Sequence, residues 1–174
     1  MGRRGRFLLG ALAAALTMPA ATTAQPAPLV APGGLLDPAY PDADVYIGNP
    51  AVPAVPPGKA CEVARRYVEL VNAGKYAEVA ALYADDATFL EPMRPNLQGR
   101  AQIDEFYTKR IGGMQPQVRA VAWFGNETEC VVDLALQVKL DGVDRWVLVS
   151  VDHFIVGPDG RIASMTAFAR PQRG

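Results

Sequence analysis

Histidine and cysteine are scarce in this chain of 174 residues, which has one histidine, His153, and two cysteines, Cys61 and Cys130. This scarcity excludes a zinc site of the histidine and thiolate type. A serine triad is disfavoured, because Ser150 and Asp152 should lie on the opposite face of the strand that carries His153. Two cysteines are also too few for the disulfide framework of a small secreted domain, and they leave two alternatives: one bridge or two buried thiols.

Strong charge of either sign and long hydrophobic runs are absent as well. The chain has 17 basic and 18 acidic residues, so it lacks the positive surface that binds nucleic acid or an anionic membrane. Its apolar run from Phe7 to Met18 is shorter than the roughly 20 residues of a membrane-spanning helix. The run follows a basic start and precedes small residues, which is the order of a secretory signal peptide. We therefore predict a signal peptide over residues 1–24, cleaved near Ala24, and a periplasmic or secreted protein.

Proline is concentrated in residues 25–59, in the stretches "QPAPLVAPGG" and "NPAVPAVPPGK". This composition predicts an extended linker or arm, stiffened by polyproline conformation. A spacer without fixed structure is the simplest interpretation. The apolar letters of "LLDPAYPDADVYIG" leave open that part of the arm lies on the domain or touches a partner. The remaining residues, 60–174, are enough for one globular domain with its own core.

Three segments of this domain have apolar residues at helical spacing: "CEVARRYVELVNAG", "KYAEVAALYA" and "AQIDEFYTKRI". Others have the composition of strands: "ATFLE", "VRAVAWFG", "ECVVDLALQVKL", "RWVLVSVDHFIV" and "IASMTAFAR". The turns "LDGVDR" and "GPDGR" join the last three of these as hairpins. Helices come early and a run of antiparallel strands follows, so the sequence predicts an α+β fold rather than alternating βαβ units.

Asp152 is a candidate functional residue because it lies in an apolar strand. It is predicted to share one face of that strand with Trp146, Leu148, Ser150 and Phe154. If this face is inward, an ionised Asp152 would cost several kcal/mol unless it were paired, and protonation is the cheaper solution. The protonated carboxyl group would then be a hydrogen-bond donor. The alternative is an outward face, or an Asp152 that only caps a backbone group.

Glu91 and two tyrosines are the other candidates. Glu91 ends "ATFLE" on the same face as Phe89, and Pro92 stops the strand behind it. A carboxylate there is placed as a general base would be, although a solvated strand end is the alternative. Tyr67 and Tyr107 lie on the apolar sides of their helices, where a buried phenol needs a partner for its hydroxyl group. Core tyrosines bonded to the backbone are the alternative for these two.

Taken together, the segments resemble bacterial ketosteroid isomerases of the nuclear transport factor 2-like (SnoaL-like) superfamily. The likeness covers about Glu62 to Phe168 and is carried by "RRYVELVNAG", "ALYADDAT" followed by a carboxylate and proline, "GRAQIDEFY", "VDHFIV" and "GRIASM". It implies a cone-shaped, curved, mostly antiparallel sheet wrapped around three N-terminal helices. It also implies a homodimer through the outer face of the sheet, where Asp133, Gln137 and Lys139 are expected.

The resemblance also implies a role for each candidate. Tyr67 occupies the place of the family's oxyanion-hole tyrosine, and Asp152 the place of its protonated aspartic acid. Tyr107 and Tyr83 match tyrosines that extend a hydrogen-bonded chain behind the first. Glu91 falls where the family has an aspartate base. The implied activity needs no metal or cofactor: it moves a double bond into conjugation in a 3-oxo-Δ5-steroid or a similar small hydrophobic ketone, through a dienolate.

The implied substrate pocket is apolar. Its expected lining residues are Phe89, Phe106, Leu134, Leu136, Trp146, Leu148, Phe154, Met165 and Ala169. Two residues of the implied site, one catalytic and one in the pocket, differ from the residues that are usual in the family. Glu91 has one methylene more than the family's aspartate, and a misplacement of about 1 Å can cost 10²-fold in rate. Ala169 stands where the family tends to have an aromatic residue.

Two other functions are compatible with the same sequence. One is a different enzyme on the same scaffold, such as a cyclase, a dehydratase or an epoxide hydrolase. The other is a noncatalytic exported carrier of hydrophobic ligands.

Overall fold

The structure is a computed structural model that describes residues 36–40, 44–46, 48–91 and 95–170. The predicted signal peptide, the start of the arm and Pro92 lie outside the described residues. The elements in chain order are β1 (Val45–Tyr46), α1 (Lys59–Asn72), α2 (Tyr76–Ala81), β2 (Tyr83–Leu90), β3 (Leu97–Gln98), α3 (Arg100–Glu105), a π-helical segment (Phe106–Ile111), α4 (Gly112–Met114), β4 (Val118–Gly125), β5 (Glu129–Leu140), β6 (Val143–Val156) and β7 (Ile162–Ala169).

The strands form one sheet in the order β3-β2-β7-β6-β5-β4, and β1 adds a short pairing to β6. Among the strands of the described residues, only β2 and β7 pair in parallel, and the other pairs are antiparallel. Register shifts interrupt four of the pairings, and such bulges bend a sheet. Helix α1 packs on the face formed by β4, β5 and β6. The predicted α+β fold, a curved and mostly antiparallel sheet with helices against it, is confirmed.

The three predicted helices are present, with two changes. The second, α2, ends at Ala81, and β2 begins at Tyr83 rather than at Ala87, because Tyr83 pairs with Ile162 in β7. Long-range pairing therefore overrides the local helical pattern of "ALYA". The third is continuous through α3, the π-helical segment and α4. In the part of the chain that the structure describes, no helix combines the length and apolarity needed to cross a membrane.

A bulge in β6 corrects the predicted orientation of two residues. In the pairing of β5 with β6, Leu134 is opposite Ser150 and Ala135 is opposite Leu148, so Val149 is an extra residue in β6. Simple alternation would put Trp146 and Leu148 on the same face as Asp152, and the extra residue puts them on the opposite face. Trp146 and Leu148 consequently lie on the outer face of the sheet, away from Asp152. They belong to a second apolar cluster, which we call the outer cluster: Tyr46, Val121, Ala135, Trp146 and Leu148.

The second half of the predicted arm packs on the domain instead of remaining a free spacer. Val45 and Tyr46 are fully buried, and β1 pairs with the first half of β6. Arg170 binds Asp44 of the arm and Asp133 of β5, so the chain itself occupies the outer face near Asp133. The homodimer through this face stays a prediction, as do the domain boundaries.

Cys61 of α1 and Cys130 of β5 form a disulfide bond, which decides between the two alternatives left by the sequence. The bond links residues 69 positions apart, and closing a loop of that size stabilises a fold by about 4 kcal/mol. A Cβ at Gly125 would lie 2.5 Å from Cys61 Sγ, so only glycine leaves room for the bond there. The bond fixes α1 to the sheet fewer than two turns before Tyr67.

Candidate active site

A cavity of about 420 Å³ lies between the helices and the inner face of the sheet. Its floor is made of buried residues: Tyr67, Phe89, Tyr107, Leu134, Asp152 and Met165. Exposed side chains stand at its rim: Met114, Gln115, Gln117 and Gln137. An apolar cavity of this size, with few polar groups inside, suits a small hydrophobic molecule. Among the described residues, no three His, Cys, Asp or Glu side chains cluster as a metal site would require.

Most of the predicted site residues line this cavity: Tyr67, Phe89, Glu91, Phe106, Tyr107, Leu134, Leu136, Asp152 and Met165. Trp146 and Leu148 do not, because the bulge turns them outward. Phe154 is buried behind the cavity, where its ring packs 5.1 Å from that of Tyr67. Ala169 is exposed at the end of β7 and does not line the cavity; two other residues of that strand, Met165 and Ala167, do.

Several lining residues were not predicted. Arg110 and Ile111 follow Tyr107 by three and four positions, so the helical spacing was the available signal for both. Val71 follows Tyr67 at the same spacing. The segment from Met114 to Val118 carried no such signal, because it crosses from a helix to a strand through a left-handed turn at Gln115.

Three buried tyrosines form a hydrogen-bonded chain at the floor. The hydroxyl of Tyr107 lies 3.1 Å from that of Tyr83 and donates to that of Tyr67, also at 3.1 Å. The hydroxyl of Tyr83 also lies 2.8 Å from Sδ of Met165, and its single proton is donated either to this sulfur atom or to Tyr107. Tyr67 thus receives a hydrogen bond and keeps its own proton for a group in the cavity. Burial raises the pKa of all three phenols, so each remains a protonated donor at neutral pH.

Asp152 lies on the inward face of β6 and is 3% exposed. Burial raises its pKa from 3.8 to about 7; a hydrogen bond with Ser150 opposes this shift, and the charge of Asp133 adds to it. Its Oδ1 is buried and has no hydrogen-bond partner among the described residues. The alternative of an outward Asp152 is therefore excluded. His153 lies on the other face, 3.4 Å from Glu129, and takes no part in the cavity.

Glu91 stands at the wall of the cavity, one residue beyond the end of β2. Its side chain is half-buried, and Oε2 is buried without a partner in the described part of the chain. The neighbouring wall is aromatic: the ring of Phe89 stacks on Tyr107 at 6.1 Å and meets Phe106 edge-on at 5.3 Å. A carboxylate oxygen without a partner in such surroundings is available to accept a proton from a bound molecule.

The raised pKa of Asp152 should make stability depend on pH. Between pH 4 and 7 the folded state holds a proton that the unfolded state releases, so this contribution to stability is complete below pH 4 and disappears as pH rises through about 7. We expect the Tm of Asp152→Asn minus the Tm of the wild type to increase by about 4 °C or more when the pH is raised from 5 to 8, as measured by thermal melts. The exposed Asp86→Asn is the control, and parallel curves for wild type and Asp152→Asn would contradict the prediction.

The sequence and structure were compared with known proteins. A family described as SnoaL-like domain matches residues 64–165. A protein named Steroid Delta-isomerase, from Nocardioides simplex, is 38% identical over 112 residues, which are 61% of this chain and 85% of that protein.

Solved structures share the fold at lower identity. The epoxide hydrolase/cyclase-like enzyme SalBIII, of pyran ring formation in the polyether salinomycin, is 21% identical with a TM-score of 0.55, over 64% of this chain and 91% of SalBIII. The Mycobacterium tuberculosis protein RV0760c, in complex with estradiol-17β-hemisuccinate, is 19% identical with a TM-score of 0.57, over 67% and 98%. At these identities, the similarity to the two solved structures shows the fold alone. Because the SnoaL-like domain family matches residues 64–165, which are more than half of the chain, the chain belongs to this family.

Proposed function

We propose that this protein is a cofactor-independent isomerase that moves the double bond of a 3-oxo-Δ5-steroid, or of a similar β,γ-unsaturated ketone, into conjugation. One observation carries the proposal: two buried groups that can donate a hydrogen bond, the hydroxyl of Tyr67 and the carboxyl group of Asp152, line the same cavity as a carboxylate oxygen of Glu91 that has no partner among the described residues. The identity to a protein named Steroid Delta-isomerase supports the same class of reaction.

The reaction starts at the carbon between the ketone and the double bond. Glu91 removes a proton from this carbon, the C–H bond breaks, and its electron pair spreads over the dienolate and onto the ketone oxygen. The protonated Glu91 then returns the proton to the far carbon of the original double bond. The substrate and product have the same atoms, so neither an oxidant nor a co-reactant is needed.

Tyr67 and Asp152 would stabilise the negative charge that develops on the ketone oxygen. Both are buried, so their hydrogen bonds act in an environment of low polarity, where they are stronger than in water. Tyr107 and Tyr83 do not touch the substrate in this scheme. They hold the hydroxyl of Tyr67 in place, and they are positioning residues.

The location of the activity is also part of the proposal. The predicted signal peptide would export the chain, and the Cys61–Cys130 bond is of the kind that persists in oxidising compartments. We therefore propose a periplasmic or secreted enzyme.

The test is the ultraviolet absorbance of the conjugated enone after mixing a neutral Δ5-3-ketosteroid with the protein. We expect a rise with a kcat/KM of about 10⁴ M⁻¹s⁻¹ or more, and none with the matching 3-hydroxy-Δ5-steroid, whose alcohol cannot form a dienolate. Binding of the ketosteroid without a rise above the buffer rate would contradict the proposal. That result would favour a carrier of hydrophobic ligands.

A further inference from the structure

Arg110 is a positively charged residue in the wall of an otherwise largely apolar cavity. It comes from the π-helical segment, one turn after Tyr107, and its guanidinium lies 5.9 Å from the centre of the Phe106 ring. Its Nη1 is buried and has no hydrogen-bond partner among the described residues. The isomerisation scheme uses Tyr67, Asp152 and Glu91, and it gives Arg110 no role.

A buried N–H of a charged group is costly when no acceptor faces it. Two acidic residues that line the cavity also have an oxygen atom without a partner among the described residues: Oε2 of Glu91 and Oδ1 of Asp152. Glu91 is the one at the wall, where Arg110 lies. Since Nη1 of Arg110 and Oε2 of Glu91 both lack a partner, these two side chains do not satisfy each other in the described structure. A ligand that brought an oxygen acceptor to Nη1 would remove this cost, so the cavity favours such a ligand over a purely apolar one.

The position of Arg110 indicates which end of a ligand it would meet. Arg110 is partly exposed, whereas Tyr67 and Asp152 at the floor of the cavity are buried. Arg110 also borders a surface depression that it shares with Gln102 and Lys109, so it stands between the cavity and the outside. A substrate with its ketone at the floor would therefore direct its far end towards Arg110.

We propose that Arg110 selects substrates that carry a carboxylate at the end remote from the reacting ketone. A guanidinium and a carboxylate can form two parallel, charge-assisted hydrogen bonds, which makes arginine suited to this group. Exposed amides stand at the same rim, on Gln115, Gln117 and Gln137, and can donate to the carboxylate as it enters. The inference rests on the proposed function and names its substrate class: an apolar, steroid-like β,γ-unsaturated ketone with an acidic side chain.

The experiment uses a matched pair of substrates, a Δ5-3-ketosteroid with a side-chain carboxylate and the methyl ester of the same compound. We expect the wild type to prefer the acid by about 10-fold or more in kcat/KM. Arg110→Met should lower kcat/KM for the acid by about 30-fold or more, mainly through KM, and should affect the ester much less. Lys109→Met is the control, because Lys109 is exposed, pairs with Glu105 and lies outside the cavity. It should keep the preference of the wild type.

Two further variants keep the test independent of a folding defect. Arg110→Lys retains the positive charge but loses the two parallel N–H donors of the guanidinium. Its preference for the acid over the ester should therefore lie between those of the wild type and Arg110→Met. Arg110→Glu should reverse the preference, towards an analogue with a side-chain amine. If Arg110→Met weakens turnover of acid and ester by the same factor, the residue acts through Glu91 or the fold, and the inference is wrong while the isomerase proposal stands.

Binding separates the failure of the inference from that of the proposed function. Calorimetry with the saturated 3-ketone acid and its ester measures the preference without any chemistry. If no ketosteroid is turned over but the acid binds more tightly in an Arg110-dependent way, the inference holds for a carrier or for another enzyme. If acid and ester bind the wild type equally, Arg110 does not select a carboxylate.

Discussion

Glu91→Gln is expected to lower kcat for a neutral Δ5-3-ketosteroid by about 10³-fold, with KM changed by less than about threefold. The amide has nearly the shape of the carboxylate, so the cavity should still bind the substrate. It cannot accept a proton, however, and the first step of the proposed reaction then has no base. The measurement is the initial rate of conjugated enone formation over a range of steroid concentrations.

The matched control is Glu62→Gln, an exposed glutamate of α1 that lies outside the cavity and pairs with Arg65. It should leave both kinetic constants as they are in the wild type. A Glu91→Gln enzyme that keeps more than about a tenth of the wild-type kcat would show that another group removes the proton. The isomerase proposal would then lose its base, although the two donors could still serve a different reaction.

The variant Glu91→Asp tests whether the activity depends on the longer side chain of glutamate. The strand was expected to end on Glu91, but β2 ends at Leu90, so the side chain starts from a position beyond the sheet. Removing one methylene would move the carboxylate by about 1 Å from its place at the cavity wall. We therefore expect the shorter Asp to lose about 10²-fold in kcat, although the resemblance in sequence implies an aspartate at this place. Equal or higher activity of Glu91→Asp would mean that the backbone already suits the shorter acid.

Local patterns were sufficient where an element keeps one periodicity. The predicted bounds of β4 and β5 are those of the structure, and α1 differs from its prediction by a few residues at its ends. The second helix was predicted too long, because the pairing of Tyr83 with Ile162 depends on residues far apart in sequence. No local pattern records a partner strand at that distance. The same holds for Val45 and Tyr46, whose two-residue strand lies within proline-rich sequence.

The facing of residues along β6 was predicted correctly as far as the strand period held. Ser150 and Asp152 face the cavity, as alternation along β6 requires. Alternation fails at Val149, and a slip of one residue reverses the facing of Trp146 and Leu148. Bulges of this kind have no dependable sequence signature when the residue is as ordinary as valine. Sequence reasoning also passed over Arg110, because a cation in a helix is ordinarily solvated and only the folded cavity reveals its unsatisfied N–H.

Tyr67→Phe is expected to lower kcat by 10²- to 10³-fold, again with a small effect on KM. The ring of Tyr67 packs on Phe154 and Tyr107, and phenylalanine preserves these contacts. What disappears is the hydroxyl of Tyr67, whose proton is free to be donated into the cavity because Tyr107 donates to this hydroxyl. That hydrogen bond strengthens as charge develops on the ketone oxygen, so its loss acts on the transition state more than on binding. The buried Tyr107→Phe should cost less, because it acts only through Tyr67.

Asp152 provides the matched comparison, because it can be replaced with or without a donor. Asp152→Asn keeps an N–H at the same place and should lose about 10-fold or less, whereas Asp152→Leu removes the donor and should lose about 10²-fold. The wild type should also decline in kcat/KM as pH rises above about 7, where Asp152 ionises, and Asp152→Asn should not show that decline. Tyr76→Phe, outside the cavity, is the control for a lost phenol. If Asp152→Asn and Asp152→Leu fall by the same factor, Asp152 does not act as a hydrogen-bond donor, and Tyr67 alone would stabilise the oxyanion.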